Sequence, residues 1–555
     1  SVQGMLVPIV TALMSVVWGL GVMGLLSIPM DAFNATTPIL IMAVAAGHSV
    51  QILKRYYEEY GRLHDSPAAV IESFVKIGPV MLTAGSIAVV SFLALAAFPT
   101  LTIRIFGIFT AIGIFSAIVL EMTFIPAFRS LLPAPKGSET EHEQRRDLLD
   151  RVTTVIADLI IARRWRTLFG GWTLAMAVLA IGIVLLKVDN SLKGNFSEGS
   201  PVRQDDVPLN AAMGGTNTLY LLVQGPDADS IKDPEVLTAM ETVQRHLETQ
   251  YELVGKTQSL ADYLKKMNQA MHADDPAFSR LPESRDLTAQ YLLLYAMSGD
   301  PGDFDTYVDY EYRSAVIWAY LKTDSTAYIE RLISDLNAVV PRAFPPGYTV
   351  RIGGGMAQGA ALNDVMVHGK LLNIAVIAVS IYLISSLVLR SVLAGLFVLI
   401  PLSLAVIANF GVMGLTGIRL DIATAAISAM AVGVGADYAI YLIYRLREEV
   451  QQSGDPERAL RLTLATAGKA VVYVALAVGA GYAVLMLTGF GMHARLGFLV
   501  AIAMAVSCLA AIVLLPAVLY LIRPQFVFRS LLSTGGRPVN LTGSTLRVIQ
   551  SKERG

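Results

Sequence analysis

The sequence predicts an α-helical polytopic membrane protein built on an internal repeat, with an α+β domain inserted on one side of the membrane. Three observations carry that prediction. Residues 1–132 align with residues 391–522 at a constant offset of 390 positions, without a gap. Ten apolar stretches are long enough to cross a bilayer, which takes about 20 residues each. Between the fifth and sixth of them lies a polar, acidic segment, 188–368.

The repeat is legible residue by residue. Gly21-Val22-Met23-Gly24-Leu25 falls on an identical run, Gly411-Val412-Met413-Gly414-Leu415. Asp31 falls on Asp421, Arg55 on Arg445, Glu58-Glu59 on Glu448-Glu449, Gly107 on Gly497 and Pro126 on Pro516. Composition agrees with a membrane chain: 54% hydrophobic, 16% charged, mean hydropathy +0.56. The single cysteine, Cys508, excludes an intrachain disulfide and reads as packing. The net charge of −1 hides an asymmetry. Residues 188–368 hold 25 Asp and Glu against 14 Lys and Arg, so the remainder is basic. By the positive-inside rule the basic side is cytoplasmic and the insert lies outside.

The elements follow in order. Residues 1–132 read as four spans, near 5–27, 34–55, 74–98 and 102–128. A charged cytoplasmic linker, 133–166, leads to a span at 167–187. The insert, 188–368, contains strand-like runs at 217–224 and 314–322 and a closing strand at 349–352. Helical spacing marks 234–250 and 326–340, with starts at Asp233-Pro234 and Asp324-Ser325. Residues 255–305 read as an inserted helical subdomain. Five spans lie within 369–523, near 369–389, 392–415, 422–445, 464–488 and 493–521. The tail, 524–555, is polar and aperiodic and reads as disordered.

One run stands out chemically: Gly433-Val434-Gly435-Ala436-Asp437-Tyr438-Ala439-Ile440, followed by Tyr444-Arg445 and Arg447-Glu448-Glu449. With the repeat, the insert, Pro201-Val202-Arg203 and Gly214-Gly215-Thr216-Asn217, it resembles the resistance–nodulation–division (RND) superfamily of transporters. The resemblance is to its MmpL-type and hopanoid-exporter-like (HpnN-like) branch and covers nearly the whole chain. Each half of such a transporter has one span, a periplasmic porter domain and five further spans. The resemblance therefore implies that a first span, a first porter domain and a second span, roughly 200–250 residues, precede Ser1 in the intact molecule. It implies a multi-pass protein of a bacterial cytoplasmic (inner) membrane with its porter domain in the periplasm. Homo-dimers and homo-trimers are both compatible with it.

Asp437 is the principal candidate for chemistry; the plainer alternative is a structural aspartate satisfied by a neighbouring hydroxyl. A carboxylate at bilayer depth is costly and marks ion or proton pathways. Gly433 and Gly435 permit close helix approach beside it. The resemblance implies that Asp437 and Tyr438 carry a proton. At the matching positions of the first copy stand Gly47 and His48, a departure from the family's paired Asp-Tyr. That departure suggests a replacement in which His48 meets Asp437 across the repeat interface. The plainer alternative is a core histidine satisfied by Ser49 or Gln51. Glu121 is a secondary candidate, as is Ser49; Glu121 reads first as a side chain snorkelling to the interface, with a proton exit or a structural ion pair as the alternatives. Lys469 reads as snorkelling, and Glu58-Glu59 and Glu448-Glu449 as solvated faces. Gly353-Gly354-Gly355 is a hinge or a plain turn. Gly433-Val434-Gly435 superficially matches a phosphate loop, but a membrane span lacks the strand-loop-helix context.

No metal spacing, nucleophile elbow, Walker motif or basic aromatic nucleic-acid surface is present, so neither an enzyme, a cofactor nor a nucleic-acid partner is expected. The leading expectation is export of a hydrophobic or lipidic substrate driven by protons, with membrane lipids as neighbours. The alternative is a Patched-like lipid-sensing or scaffold protein without proton-driven transport. A SecDF-type translocation accessory is a third reading.

Overall fold

The computed structural model describes residues 2–135 and 148–528; the side chains of 2, 3, 301, 364, 366–368, 371, 423 and 426–434 lie outside the description. The tail expected to be disordered and residues 136–147 of the linker therefore fall largely outside the described residues.

Four helices form the first repeat: α1 (Val2–Leu25), α2 (Thr37–Leu63), α3 (Ser66–Leu93) and α4 (Leu101–Leu131). A short amphipathic helix, α5 (Leu148–Ile161), precedes α6 (Trp165–Val184). The inserted domain holds α7 (Pro201–Met213), β1 (Asn217–Gln224), α8 (Pro234–Gln250), β2 (Val254–Gln258), α9 (Leu260–Met271), α10 (Arg285–Ser298), β3 (Ser314–Leu321), α11 (Thr326–Ala343) and β4 (Thr349–Gly353). Back in the membrane come α12 (Gly355–Val388), α13 (Val392–Thr416), α14 (Ile422–Ser453), α15 (Pro456–Thr463), α16 (Lys469–Ala483), α17 (Gly491–Leu509) and α18 (Leu515–Ile522). Among the described residues, eight helices are long and apolar enough to cross a membrane. The remaining two expected spans coincide with α12, whose described apolar part is Leu372–Val388, and with α14.

The repeat holds at the level of single turns. α1 matches α13, and α2 matches α14. A 3₁₀ turn closes the third helix at 94–97 in one copy and at 484–487 in the other. The copies also cap alike. Asp421 accepts from the Thr424 backbone N–H at 2.8 Å to start α14. Asp31, its counterpart, accepts from the Asn34 N–H at 2.7 Å ahead of α2. Each side chain satisfies an N–H that has no partner within the helix.

The insert is a four-stranded antiparallel sheet in the order β2-β3-β1-β4. β3 buries alternate residues, Ala315, Ile317, Ala319 and Leu321, against α8 and α11. Three strands and two helices fall where the pattern places them. β2 and α7 were not anticipated, and β2 moves the start of the helical subdomain from 255 to Leu260. α7 explains the Pro201 and Gly214 motifs: Pro201 starts the helix and Gly214 (φ 72°) ends it. Lys193 Nζ lies 2.6 Å from both Asp206 of α7 and Thr216, tying the exit of α6 to the sheet. Burial pushes the Asp206 carboxyl up, but hydrogen bonds from Lys193 and Thr216 and the lysine charge outweigh it and hold the group below the ordinary carboxylate range.

The insert rests on the turns between spans. Asp189 pairs with Arg419, Arg495 donates to Asn195 Oδ1 while pairing with Asp421 of its own repeat at 2.9 Å, and the Phe196 ring packs edge-on to Phe490 at 5.4 Å. β4 runs into α12 through Gly354 alone, at φ 97°, where any other residue would be strained.

Candidate functional site

The centre of the membrane domain is the seam between the repeats. α2 of the first copy packs against α16 of the second, and α3 against α14. Gly47 makes the first approach close: a Cβ there would stand 2.9 Å from Val474 Cγ1. Gly435 makes the matching approach of α14 to α17, with a Cβ 2.6 Å from Ser507 Oγ. Gly433 lies on α14, but its surroundings lie outside the description.

In this seam three side chains from three helices meet. His48 Nε2 of α2 stands 2.8 Å from Asp437 Oδ2 of α14. His48 Nδ1 stands 3.2 Å from Glu121 Oε2 of α4. All three are buried: His48 is 2% exposed, Glu121 0% and Asp437 4%. The imidazole thus bridges two carboxylates, one from each repeat. Glu121 does not snorkel. It lies on the inward face of α4, held by the ring. Each carboxylate keeps one oxygen, Glu121 Oε1 and Asp437 Oδ1, without a protein partner among the described residues.

The charge arithmetic of this trio defines what it can do. With two ionised carboxylates and a neutral ring it carries −2; one proton brings it to −1 and two bring it to zero. Uncompensated charge at bilayer depth costs several kcal/mol, so each loading step changes the stability of the surrounding packing. A proton bound here bridges the repeats, and its loss leaves two carboxylates facing one ring.

The other predicted residues separate from this trio. Tyr438 is buried, but its hydroxyl donates to Met504 Sδ at 3.4 Å, on the α17 side of α14. Neighbouring residues on a helix point about 100° apart, so Asp437 and Tyr438 cannot both face His48. Ser49 is buried beside His48 in sequence, yet its Oγ has no partner among the described residues. The ring is satisfied by carboxylates, not by Ser49 or Gln51. Lys469 pairs with Asp150 of α5, which draws the linker onto the membrane domain, so it does not snorkel.

At the Arg-rich ends, the acidic pairs are not a solvated face. Arg55 reaches Glu448 at 2.6 Å and Glu59 at 3.0 Å. Arg445 reaches Glu58 at 3.5 Å and Glu449 at 3.0 Å. Each arginine holds the glutamate one turn on in its own helix and one in the other repeat. The matched Arg-Glu-Glu spacing in both copies was the available signal. Lys370 of α12 was also missed, although a lysine opening an apolar stretch could have flagged it. It is 3% exposed, has no hydrogen-bond partner among the described residues and stands 6.0 Å from the Phe410 ring centre. No group of His, Cys, Asp and Glu suited to a metal ion occurs among the described residues.

This architecture recurs in known proteins. The chain is 24% identical over 347 residues to the membrane protein MJ1562 of Methanocaldococcus jannaschii, covering 60% of this chain and 84% of that one. It is 33% identical over 136 residues to the sulfolipid-1 exporter MmpL8 of Mycobacterium tuberculosis, which is 24% of this chain and only 12% of the exporter. The structure of the hedgehog release protein Disp from the water bear Hypsibius dujardini superposes with a TM-score of 0.62 at 15% identity, over 94% of this chain and 70% of that one. The repeated bundle and the insert thus share a fold with Disp, and residues 1–170 and 206–531 match the MMPL family model: the chain belongs to the MMPL family of membrane transporters.

Proposed function

We propose that the protein exports a hydrophobic or lipidic substrate from the bacterial inner membrane, driven by protons that load and leave the His48–Asp437–Glu121 trio. The observation that carries this reading is the imidazole shared by carboxylates of both repeats. Loading would change the charge at the seam and hence the packing of one repeat on the other. The second repeat bears the insert through Asp189–Arg419 and Asn195–Arg495, so a shift of that repeat at the seam has a route to the porter domain. A lipidic cargo is supported by a relative that bears the name sulfolipid-1 exporter. It is also supported by an apolar groove of about 550 Å³ between α6 and α13, walled by Phe169, Trp172, Met176, Leu404 and Ile407. That volume suits an acyl chain.

The test is reconstitution into vesicles of bacterial polar lipids with an imposed proton gradient, following lipid extraction to an external acceptor by mass spectrometry. Asp437→Asn keeps the shape and removes the proton site. Gradient-driven extraction should fall about 100-fold, the scale of losing a positioned proton carrier, with the melting transition intact. Undiminished extraction in Asp437→Asn would sink the coupling role. Extraction by wild type that ignores the gradient would favour the Patched-like sensing or scaffold reading.

A further inference from the structure

Three helices lead from the trio toward the Arg-rich side and converge on one cavity. On α14, Tyr441 follows Asp437 by four residues. On α3, Gly85 borders the ring, since a Cβ there would stand 3.7 Å from His48 Cε1, and Val80 lies five residues nearer the Arg-rich end. On α2, Gln51 follows His48 by three residues and is the repeat counterpart of Tyr441. Tyr441, Val80 and Ile77 line a cavity of about 260 Å³, whose rim carries the Arg55–Glu448 pair and the exposed Gln452. The cavity therefore opens at the Arg-rich surface and ends about one turn short of the trio.

We infer that this cavity is an aqueous vestibule through which the trio exchanges protons with the solution on the Arg-rich side, and that Gln51 and Tyr441 carry the last link. The inference rests on the proton-coupled reading above. At 1.5 Å per residue, the remaining gap is about 6 Å along α14 and about 7.5 Å along α3, the span of one or two hydrogen-bonded waters. Gln51 is wholly buried, and neither its Oε1 nor its Nε2 has a hydrogen-bond partner among the described residues. A buried amide left so is destabilising unless water satisfies it. An amide offers both a donor and an acceptor, and a phenol does the same, so either can orient a water file without holding charge. The proton given up by the trio passes to the first water, and one leaves the last water into solution. The vestibule is small for a lipid: cavities that hold drug-sized ligands begin near about 300 Å³. Its ion-paired rim suits water.

The test needs no cargo. In a Cys508→Ala background, Val80→Cys is exposed to a membrane-impermeant methanethiosulfonate from each face of sealed vesicles. Labelling from the Arg-rich face alone is expected; no labelling, or labelling from the insert face, overturns the vestibule. Carboxyl infrared absorption after a pH jump then reads proton exchange at the trio itself. Gln51→Leu should slow its relaxation at least tenfold without changing its amplitude, and Gln51→Glu should restore the rate. Equal relaxation in Gln51→Leu overturns the link while leaving the coupling reading intact. A pH-insensitive band that is the same in Asp437→Asn would instead sink the coupling reading.

Discussion

In each repeat one glycine lets the fourth helix cross the end of the third. A Cβ on Gly107 would meet the Phe92 carbonyl at 2.5 Å, and a Cβ on Gly497 the Tyr482 carbonyl at 2.3 Å. The caps at Asp31 and Asp421 and the arginines at 55 and 445 match as well. The side chains at the seam do not. His48 faces Asp437, whereas their counterparts are Tyr438 and Gly47; Glu121 corresponds to Ala511. Around Ala511 the helix makes a π turn, Ala510–Leu514, where the first copy stays α-helical. Such single turns are frequent at functional sites. The scaffold is symmetric and the chemistry is not: the first repeat brings the ring and one carboxylate, the second brings the other.

Three experiments break or sharpen that comparison. The largest effect should come from the ion-pair cluster. Arg55→Met removes the buried guanidinium between Glu59 and Glu448, leaving Glu59 to Lys76 and Arg62 and Glu448 to Arg445, and should cost about 3 kcal/mol, the low end for breaking a buried pair. Arg445→Met should cost less, because its cross-repeat contact is longer and its side chain more exposed. Thermal unfolding in detergent checks the order, and equal losses would mean the two copies share the load evenly.

The next test concerns the shared Gly-Val-Met-Gly-Leu run. A Cβ on Gly414 would lie 1.7 Å from the Gly182 carbonyl of α6, and one on Gly411 2.4 Å from that of Leu179. Gly21 and Gly24 have nothing within 4 Å among the described residues. Gly414→Leu should therefore cost about 1–3 kcal/mol or more, while Gly24→Leu should be near neutral for this chain. A large loss at Gly24 would reveal that another helix covers this face of α1.

The smallest effect belongs to the insert, which this chain contains once. Asp206 titrates lower in the folded protein than unfolded, so its contribution is present above its unfolded value and is lost as pH falls through the folded one. Acid should loosen α7 from the sheet. Hydrogen exchange over 201–216 at decreasing pH would show it, and Asp206→Asn should flatten the response.

Much of this was open to a reader of the chain. The repeat, the spans, β1, β3 and β4 follow from identity and periodicity. β2 (Val254-Gly255-Lys256-Thr257-Gln258) hides because glycine and lysine are poor strand formers, and it exists by pairing with β3. α7, with Pro208 inside and no buried residue, has no apolar period to detect. Asp437 and His48 were visible as polar residues in apolar runs. Glu121 was visible too, but which face of α4 it occupies depends on packing against a helix 73 residues away. The Arg-Glu cluster was misread for the same reason, since solvation is a property of the assembled surface.

The junction at Gly354 has a mechanical consequence. Strand β4 hands over to α12 with one intervening residue, so little slack separates the sheet edge from the rod of a 34-residue helix. At 1.5 Å per residue that rod is about 51 Å long, and a pivot of about 5° at its far end would sweep the sheet sideways by about 4 Å. A shift in the membrane too small to disturb core packing becomes, at the end of this arm, a displacement of about one carbon–carbon contact.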